Sequence, residues 1–192
     1  MQEIFIVSLY SYLLGSIPFG LVLTKVFLNQ DIRKSGSGNI GATNVIRSGN
    51  KYLGLATLIL DGTKGYFAVL VTYKYYPDYF ILSSLMTFIG HIFPIWLRFK
   101  GGKGVATYLG ILFAINLILP LVFILFWIII ILISKYASLA SLISALAVLV
   151  TNIFLKGFDQ SIILFLFLIL IIYSHRTNIQ RLKAGNENKI NL

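Results

Sequence analysis

A glycine-rich polar segment at residues 35–47 has the composition of a phosphate-binding loop. Its glycines allow positive φ and close approach of the backbone, and successive amide N–H groups in such a turn form an anion-binding nest. The glycines are Gly36, Gly38 and Gly41, and the side-chain donors are Ser35, Ser37, Asn39, Thr43, Asn44 and Arg47. A flexible linker is the alternative, although Ile40, Val45 and Ile46 favour a loop that packs onto other elements.

A second glycine-rich segment, at residues 100–107, directly precedes an apolar stretch that we expect to be helical. Gly101, Gly102 and Gly104 would then lie at a helix N-terminus, where unpaired amide groups and the helix dipole favour phosphate. Lys103 adds a positive charge among them. The spacing is not that of a Walker A sequence, and an ordinary basic turn at the membrane surface is the alternative.

The polar C-terminal segment carries His175, Asn178 and Arg181 at i, i+3 and i+6. If the last helix continues past Tyr173, this spacing places the three side chains roughly along one face. A solvated basic end is the alternative. The absence of cysteine excludes thiol chemistry and thiolate metal sites, and two distant histidines disfavour zinc ligation, so we expect neither a metal nor a cofactor.

Asp61 and Lys64 lie three residues apart inside an apolar stretch. An ionisable pair at membrane depth is costly and indicates a side-chain pair that faces the interior of a helix bundle. Mutual neutralisation that braces the bundle is the favoured interpretation, and a functional role is the alternative. We expect His91 to be a packed polar residue near the same pocket.

The composition identifies the class of protein that must position these residues. Of 192 residues 58% are hydrophobic and only 11% charged, which is too apolar for a soluble domain of this size. The formal charge of +10 is therefore interpreted as the charge of cytoplasmic loops and of sites for anionic lipid or substrate, and not as a nucleic-acid-binding surface.

The hydropathy pattern predicts an all-α polytopic membrane protein of about seven transmembrane helices, folded as a single domain over residues 1–192. We expect the stretch 105–133, which is too long for one span, to break near Asn116 and Pro120. With seven spans the outer side keeps only Lys74 and Lys156, which obeys the positive-inside rule with the N-terminus outside and the C-terminus cytoplasmic. The predicted spans cover residues 4–27, 52–76, 80–97, 105–133 in two parts, 136–155 and 162–173.

Six motifs along nearly the whole chain resemble those of the bacterial acyl-phosphate-dependent glycerol-3-phosphate acyltransferases, an integral membrane family. The motifs are GSIPFG at 15–20, GSGNIGATN at 36–44 with Arg47, DGTKG at 61–65, GHIFP at 90–94, GGKGVAT at 101–107, and His175, Asn178, Arg181 and Glu187 in the tail. The resemblance implies that a fatty acyl group passes from acyl phosphate to the sn-1 hydroxyl of glycerol 3-phosphate, giving lysophosphatidate and phosphate. It also implies a bacterial cytoplasmic (inner) membrane location, an active site facing the cytoplasm, and functional coupling to the enzyme that makes acyl phosphate.

With this resemblance the candidate residues take roles at one inner-leaflet site, where we expect the three polar segments to converge. His175 is either a general base toward the attacking hydroxyl or only a phosphate ligand. The candidate catalytic residues are Ser37, Asn39, Arg47, Lys103, His175 and Asn178. The candidate substrate-binding residues are Ser35, Gly36, Gly38, Gly41, Thr43, Asn44, Gly101, Gly102, Gly104, Thr107 and Arg181.

Two other classes of function fit part of the pattern. A small transporter of phosphate or organophosphate would use broken helices and an intramembrane ion pair, but it predicts polar groups in both halves of the membrane. A membrane scaffold without activity would leave the three polar segments without a purpose. The concentration of polar residues on one predicted face therefore favours the enzyme.

Overall fold

In the computed structural model, which describes residues 1–190, the chain is all-helical within that range. The chain divides into two compact units, Met1–Ile115 and Asn116–Leu192. The first unit contains α1 (Gln2–Gly15), α2 (Phe19–Leu28), α3 (Ala42–Arg47), α4 (Lys51–Tyr75), α5 (Phe80–Ile92) and α6 (Val105–Ile115). The second contains α7 (Ile118–Ser134), α8 (Ala137–Lys156), α9 (Ile162–Ser174) and α10 (Arg176–Lys183).

Four helical segments in the described chain are long and apolar enough to cross a membrane, and a fifth is added if the bent pair α9 and α10 counts as one span. The predicted break in the stretch 105–133 is confirmed, because α6 ends at Ile115 and α7 begins at Ile118. At 1.5 Å per residue α6 is about 16 Å long, roughly half the hydrocarbon thickness of a bilayer. Seven spans and their orientation stay predictions. The four segments are Gln2–Leu28, Lys51–Tyr75, Pro77–Leu97 and Ala137–Lys156.

The helices of the first unit pack through close backbone contacts at glycine. A Cβ on Gly15 would overlap the carbonyl group of Thr87, so α1 and α5 approach closely. A Cβ on Gly65 would overlap the carbonyl oxygen of Thr107, and one on Gly110 would overlap that of Gly62, so α4 and α6 do the same. Small residues at helix contacts are typical of membrane proteins, where van der Waals packing drives association.

Buried hydroxyl groups add hydrogen bonds between the same helices. Ser11 Oγ in α1 lies 2.8 Å from Ser83 Oγ in α5, and both side chains are fully buried. Ser83 Oγ also donates to the carbonyl oxygen of Ala68 in α4 at 3.1 Å. These contacts join α1, α4 and α5 into one scaffold for the loops between them.

In the second unit, polar side chains join the long helices to their neighbours. Trp127 Nε1 in α7 donates to Ser141 Oγ in α8 at 3.2 Å. Asn152 Nδ2 near the end of α8 donates to Ser161 Oγ at 2.9 Å, just before α9 begins. The α7–α8 turn passes through Lys135, whose φ of 62° is left-handed.

Candidate active site

The loop at residues 29–50 is packed onto the first unit and is not a flexible linker. Ile32, Ile40 and Val45 are buried together with Leu21 of α2, and Leu53 and Leu97 pack against this cluster. The prediction that this loop packs onto other elements, which was based on Ile40 and Val45, is therefore confirmed. Ile46 is 43% exposed, but its side chain contacts Gly54 of α4.

Asn44 organises the polar part of this loop. Its side-chain amide donates to the carbonyl oxygens of Ile32 and Ser35 at 3.1 Å and of Asn39 at 2.8 Å. Its Oδ1 accepts from the backbone amide of Ser37 at 2.8 Å. Because Asn44 is buried and its polar atoms are used inside the loop, it holds the loop in shape.

The loop glycines serve different purposes. Gly36 and Gly38 have φ of 56° and 72°, so they adopt the left-handed conformation that the sequence predicts for them. Gly41 does not, since its φ is −81°. Its amide donates to Asn39 Oδ1 at 2.8 Å, in a short turn that begins α3.

The remaining loop candidates lie toward the surface. Ser35, Ser37, Asn39 and Thr43 are half-buried, and Arg47 is exposed at the end of α3. An ion pair stabilises the start of the loop, where Arg33 Nη2 lies 2.6 Å from Asp31 Oδ2. The hydrogen bonds from Arg33 hold the pKa of the Asp31 carboxyl well below its ordinary value.

The second glycine-rich segment rests on the C-terminal end of α5. The amides of Gly101 and Gly102 donate to the carbonyl oxygens of Ile92 at 2.9 Å and His91 at 3.0 Å. The expectation that these amides point unpaired at a ligand is therefore wrong. Both glycines instead allow close packing, since a Cβ on Gly102 would overlap the His91 ring.

Lys103 and Thr107 lie at the start of α6. Lys103 is half-buried and precedes Gly104, whose φ of 81° turns the chain into the helix. A Cβ on Gly104 would overlap the ring of Phe88. Thr107 is fully buried, and its Oγ1 has no hydrogen-bond partner among the residues that the structure describes.

Asp61, Lys64 and His91 form one buried cluster in the first unit. Lys64 Nζ lies 2.7 Å from Asp61 Oδ1 and also donates to the carbonyl oxygen of Ile17 at 2.7 Å. The predicted pairing of Asp61 with Lys64 is confirmed, and Ile17 lies in the break between α1 and α2; the bracing role stays a prediction. His91 Nδ1 lies 3.7 Å from Asp61 Oδ1.

Glu187 organises the C-terminal segment. Its Oε1 accepts from Asn178 Nδ2 at 2.6 Å and from Ser138 Oγ at 2.8 Å, and its Oε2 accepts from Arg181 Nε at 2.7 Å. Burial favours the neutral acid, but these hydrogen bonds and the charge of Arg181 outweigh it and lower the pKa of Glu187. The buried carboxylate therefore fixes two of the predicted site residues.

His175 lies at a bend, because α9 and α10 meet there at 62°. The last helix therefore does not continue straight past Tyr173. Of the three predicted side chains, Asn178 and Arg181 lie on one face of α10, where both bond to Glu187. His175 is buried, and its Nδ1 lies 2.8 Å from the carbonyl oxygen of Ile171. Since a carbonyl oxygen only accepts, this contact requires a proton on Nδ1 of the His175 ring.

Two organising residues were not among the predicted site residues. Glu187 is the single acidic residue of the basic tail, and this isolation was the available signal. Ser138 lies in an apolar stretch of α8 and gave no signal, since its contact with Glu187 joins residues far apart in the chain.

The comparisons with known proteins agree with this architecture. The sequence model of the glycerol-3-phosphate acyltransferase family matches residues 5–185. A glycerol-3-phosphate acyltransferase of Pelagibacter ubique (strain HTCC1062) is 56% identical over 188 residues, which cover 98% of each chain. One from Mesorhizobium japonicum (strain LMG 29417 / CECT 9101 / MAFF 303099) is 48% identical, with 94% of this chain and 93% of the relative covered.

Two crystal structures of PlsY (YgiH), an integral membrane glycerol 3-phosphate acyltransferase, are similar to this chain. The glycerol 3-phosphate form matches with a TM-score of 0.93 and the lysophosphatidic acid form with 0.89. Both are 36% identical in sequence, and the matches cover 98% of this chain and 96% of theirs. The chain therefore belongs to the glycerol-3-phosphate acyltransferase family and is an integral membrane acyltransferase.

Proposed function

We propose that this acyltransferase moves a fatty acyl group from acyl phosphate to the sn-1 hydroxyl of glycerol 3-phosphate and releases lysophosphatidate and inorganic phosphate. One observation carries this assignment. Two of the three polar segments are held by a buried polar side chain, Asn44 in the loop and Glu187 in the tail, and the third is held by hydrogen bonds from the Gly101 and Gly102 amides to backbone carbonyls at the end of α5. Groups that are fixed in advance stabilise developing charge without reorganising during the reaction.

Both substrates carry phosphate, so the chemistry needs two sets of anion-binding groups. Ser35, Ser37 and Asn39, with nearby loop amides, bind one phosphate. Lys103, Arg47, His175 and Asn178 position glycerol 3-phosphate, which makes the three segments act on the same pair of substrates. Asn44 serves as a positioning residue, because its amide is occupied by the loop backbone.

The transfer step needs no covalent enzyme intermediate, because acyl phosphate is a mixed anhydride with a good leaving group. A bond forms between the glycerol oxygen and the acyl carbon while the bond from that carbon to the phosphate oxygen breaks. Phosphate leaves with the electron pair, and Lys103 and Arg47 stabilise its charge. Holding the hydroxyl against the carbonyl supplies much of the rate.

The hydroxyl proton goes either to His175 Nε2 or to a phosphate oxygen. The contact of His175 Nδ1 with the Ile171 carbonyl supports the first route, because it places a proton on Nδ1 and so makes Nε2 the nitrogen through which a neutral ring would accept the hydroxyl proton. In this route His175→Ala loses the acidic limb of the pH–rate profile. An acidic limb that persists in the residual activity of this variant would assign the proton to the substrate.

We further propose that the chain lies in the bacterial cytoplasmic membrane as a single domain with seven spans, an outer N-terminus and a cytoplasmic C-terminus. The positive-inside distribution supports this orientation. The polar segments then face the cytoplasm, where an acyl-phosphate-producing enzyme supplies the donor.

The direct test supplies purified protein in detergent with glycerol 3-phosphate and one of three donors: acyl phosphate, acyl-CoA or acyl carrier protein thioester. We expect lysophosphatidate and stoichiometric phosphate from acyl phosphate alone. Lys103→Ala should abolish this product, whereas Lys100→Ala, on an exposed residue of the same segment, should leave it unchanged. Equal use of a thioester donor, or full activity of Lys103→Ala, would contradict the assignment.

A further inference from the structure

The cluster of Asp61, Lys64 and His91 takes no part in the chemistry proposed above. Its residues are only 2%, 3% and 4% exposed, so all three side chains lie inside the first unit. Burying ionisable groups in a membrane protein is costly unless they are paired. The ion pair explains Asp61 and Lys64, but it leaves His91 without an assigned role.

The Asp61–Lys64 pair is fixed on two sides. Lys64 Nζ donates to the Ile17 carbonyl at the break before Pro18, so the pair is joined to α1 and α2. One residue further along α4, Gly65 packs against the backbone of Thr107 in α6. The pair therefore belongs to the most constrained part of α4.

His91 lies between this pair and the segment that carries Lys103. On one side, its Nδ1 faces Asp61 Oδ1 at 3.7 Å, beyond hydrogen-bond distance. On the other side, its carbonyl accepts from the Gly102 amide, and its ring fills the space that a Gly102 side chain would need. The ring thus separates a fixed ion pair from the residue next to Lys103.

We propose that His91 is a positioning residue for Lys103, whose ring sets the distance between the 101–104 segment and the bundle. This inference rests on the substrate-binding role that the proposed function gives Lys103. A shorter side chain at position 91 lets the segment move inward, and a larger one at position 102 pushes it outward. Either change moves the Lys103 ammonium from its place.

The test is a size-exchange cycle of Gly102→Ala, His91→Ala and the double variant, with kcat and both KM values measured. Each single variant should raise KM for glycerol 3-phosphate by about tenfold or more, lower kcat because Lys103 also stabilises the leaving phosphate, and leave KM for acyl phosphate unchanged. The double variant should recover much of the loss of Gly102→Ala, because the missing ring makes room for the added methyl group. A merely structural role would lower the amount of active enzyme and leave both KM values alone.

The matched control is Gly62→Ala in α4, where the added Cβ would lie 3.5 Å from the Ala106 carbonyl oxygen, an ordinary contact. Its kinetics should equal those of the parent. Thermal unfolding in detergent shows whether His91→Ala is folded. If it is not, His91→Asn takes its place in the cycle, and the double variant with Gly102→Ala should again recover much of the lost activity.

Losses that multiply in the double variant, or a glycerol 3-phosphate KM that does not change, would overturn the role of His91. Measuring Lys103→Ala beside the cycle distinguishes failure of the role proposed for Lys103 from failure of the role inferred for His91. Full activity of Lys103→Ala would refute the proposed role of Lys103 itself. An inactive Lys103→Ala with multiplying losses would refute only the inference about His91.

Discussion

The loop at residues 29–50 and the C-terminal segment at residues 175–189 hold their functional side chains by different chemistry. In the loop, the neutral amide of Asn44 bonds to backbone atoms at four positions. In the C-terminal segment, the ionised carboxylate of Glu187 bonds to three side chains. The loop therefore keeps its main hydrogen bonds at any pH, whereas those of the C-terminal segment depend on the charge of one carboxyl group.

Each region also contains an arginine–carboxylate pair, and the two pairs differ in burial. Arg33 and Asp31 lie 2.6 Å apart with side chains 42% and 18% exposed. Arg181 and Glu187 lie 2.7 Å apart with side chains 37% and 4% exposed. Although the N–O distances of the two pairs are similar, we expect removal of the arginine to lower stability by unequal amounts, because the loss is largest where the remaining carboxylate is buried.

The largest expected effect comes from Asn44→Ala. Losing the contacts of the Asn44 amide with four backbone atoms, and leaving buried backbone groups unpaired, should destabilise the loop by roughly 2–5 kcal/mol. We expect activity to fall by about a hundredfold or more, since the loop carries Ser37, Asn39 and Arg47. Activity and thermal unfolding in detergent measure the two effects.

The matched control is Asn50→Ala, which removes the N-cap bond from Leu53 to Asn50 at the start of α4. It should cost only about 1 kcal/mol and keep nearly full activity. Equal activity losses in Asn44→Ala and Asn50→Ala would show that Asn44 has no special role in the loop.

Glu187→Gln should have the next largest effect. The amide removes the charge that pairs with Arg181 and turns a donor group toward it, so we expect activity to fall about tenfold, equivalent to roughly 1.4 kcal/mol. Gln180→Ala, on an exposed residue of α10, is the control and should retain activity. Wild-type kinetics in Glu187→Gln would show that the carboxylate charge is not needed.

The pH dependence of stability should separate the two regions. Because the folded-state pKa of Glu187 lies below its ordinary value of 4.5, its stabilisation is present above pH 4.5 and is lost as the pH falls through the folded-state pKa. The protection factors of the α10 amides, which compare the observed exchange rate with the intrinsic rate at each pH, should therefore fall in acid, while those of the loop amides around Asn44 stay constant. If α10 loses protection in acid to the same extent in Glu187→Gln, the titrating group is not Glu187.

Arg33→Ala should have the smallest effect. Both side chains of the pair with Asp31 are in contact with solvent, so its loss should change stability by less than about 1 kcal/mol and leave activity near the parent value. Arg181→Ala leaves a buried carboxylate short of a partner and should cost more. Thermal unfolding in detergent compares the stability of the two variants, and a larger loss of stability in Arg33→Ala than in Arg181→Ala would contradict this prediction.

Local sequence patterns predicted much of the fold. Apolar stretches identified the long helices but not α3, Asn116 marked the break between α6 and α7, and Ile40 and Val45 indicated a packed loop. The ion pair of Asp61 and Lys64 was predictable because charge within an apolar helix needs a partner.

Contacts between distant residues were not predictable in the same way. The amides of Gly101 and Gly102 bond to α5, which no local pattern in the segment indicates. The bend at His175 interrupts a helix that hydropathy alone would continue. The link between Ser138 and Glu187 depends on how α8 and the tail fold together.

The most direct test of the central claim asks whether all three segments act on glycerol 3-phosphate from the cytoplasmic side. The chain has no cysteine, so Ser48→Cys, Val105→Cys and Thr177→Cys each introduce a unique thiol within two residues of Arg47, Lys103 or Asn178. In inside-out vesicles, a membrane-impermeant maleimide should label all three positions, and glycerol 3-phosphate should slow each reaction. A position that is labelled only from the outer side, or that glycerol 3-phosphate leaves unprotected, would contradict the claim.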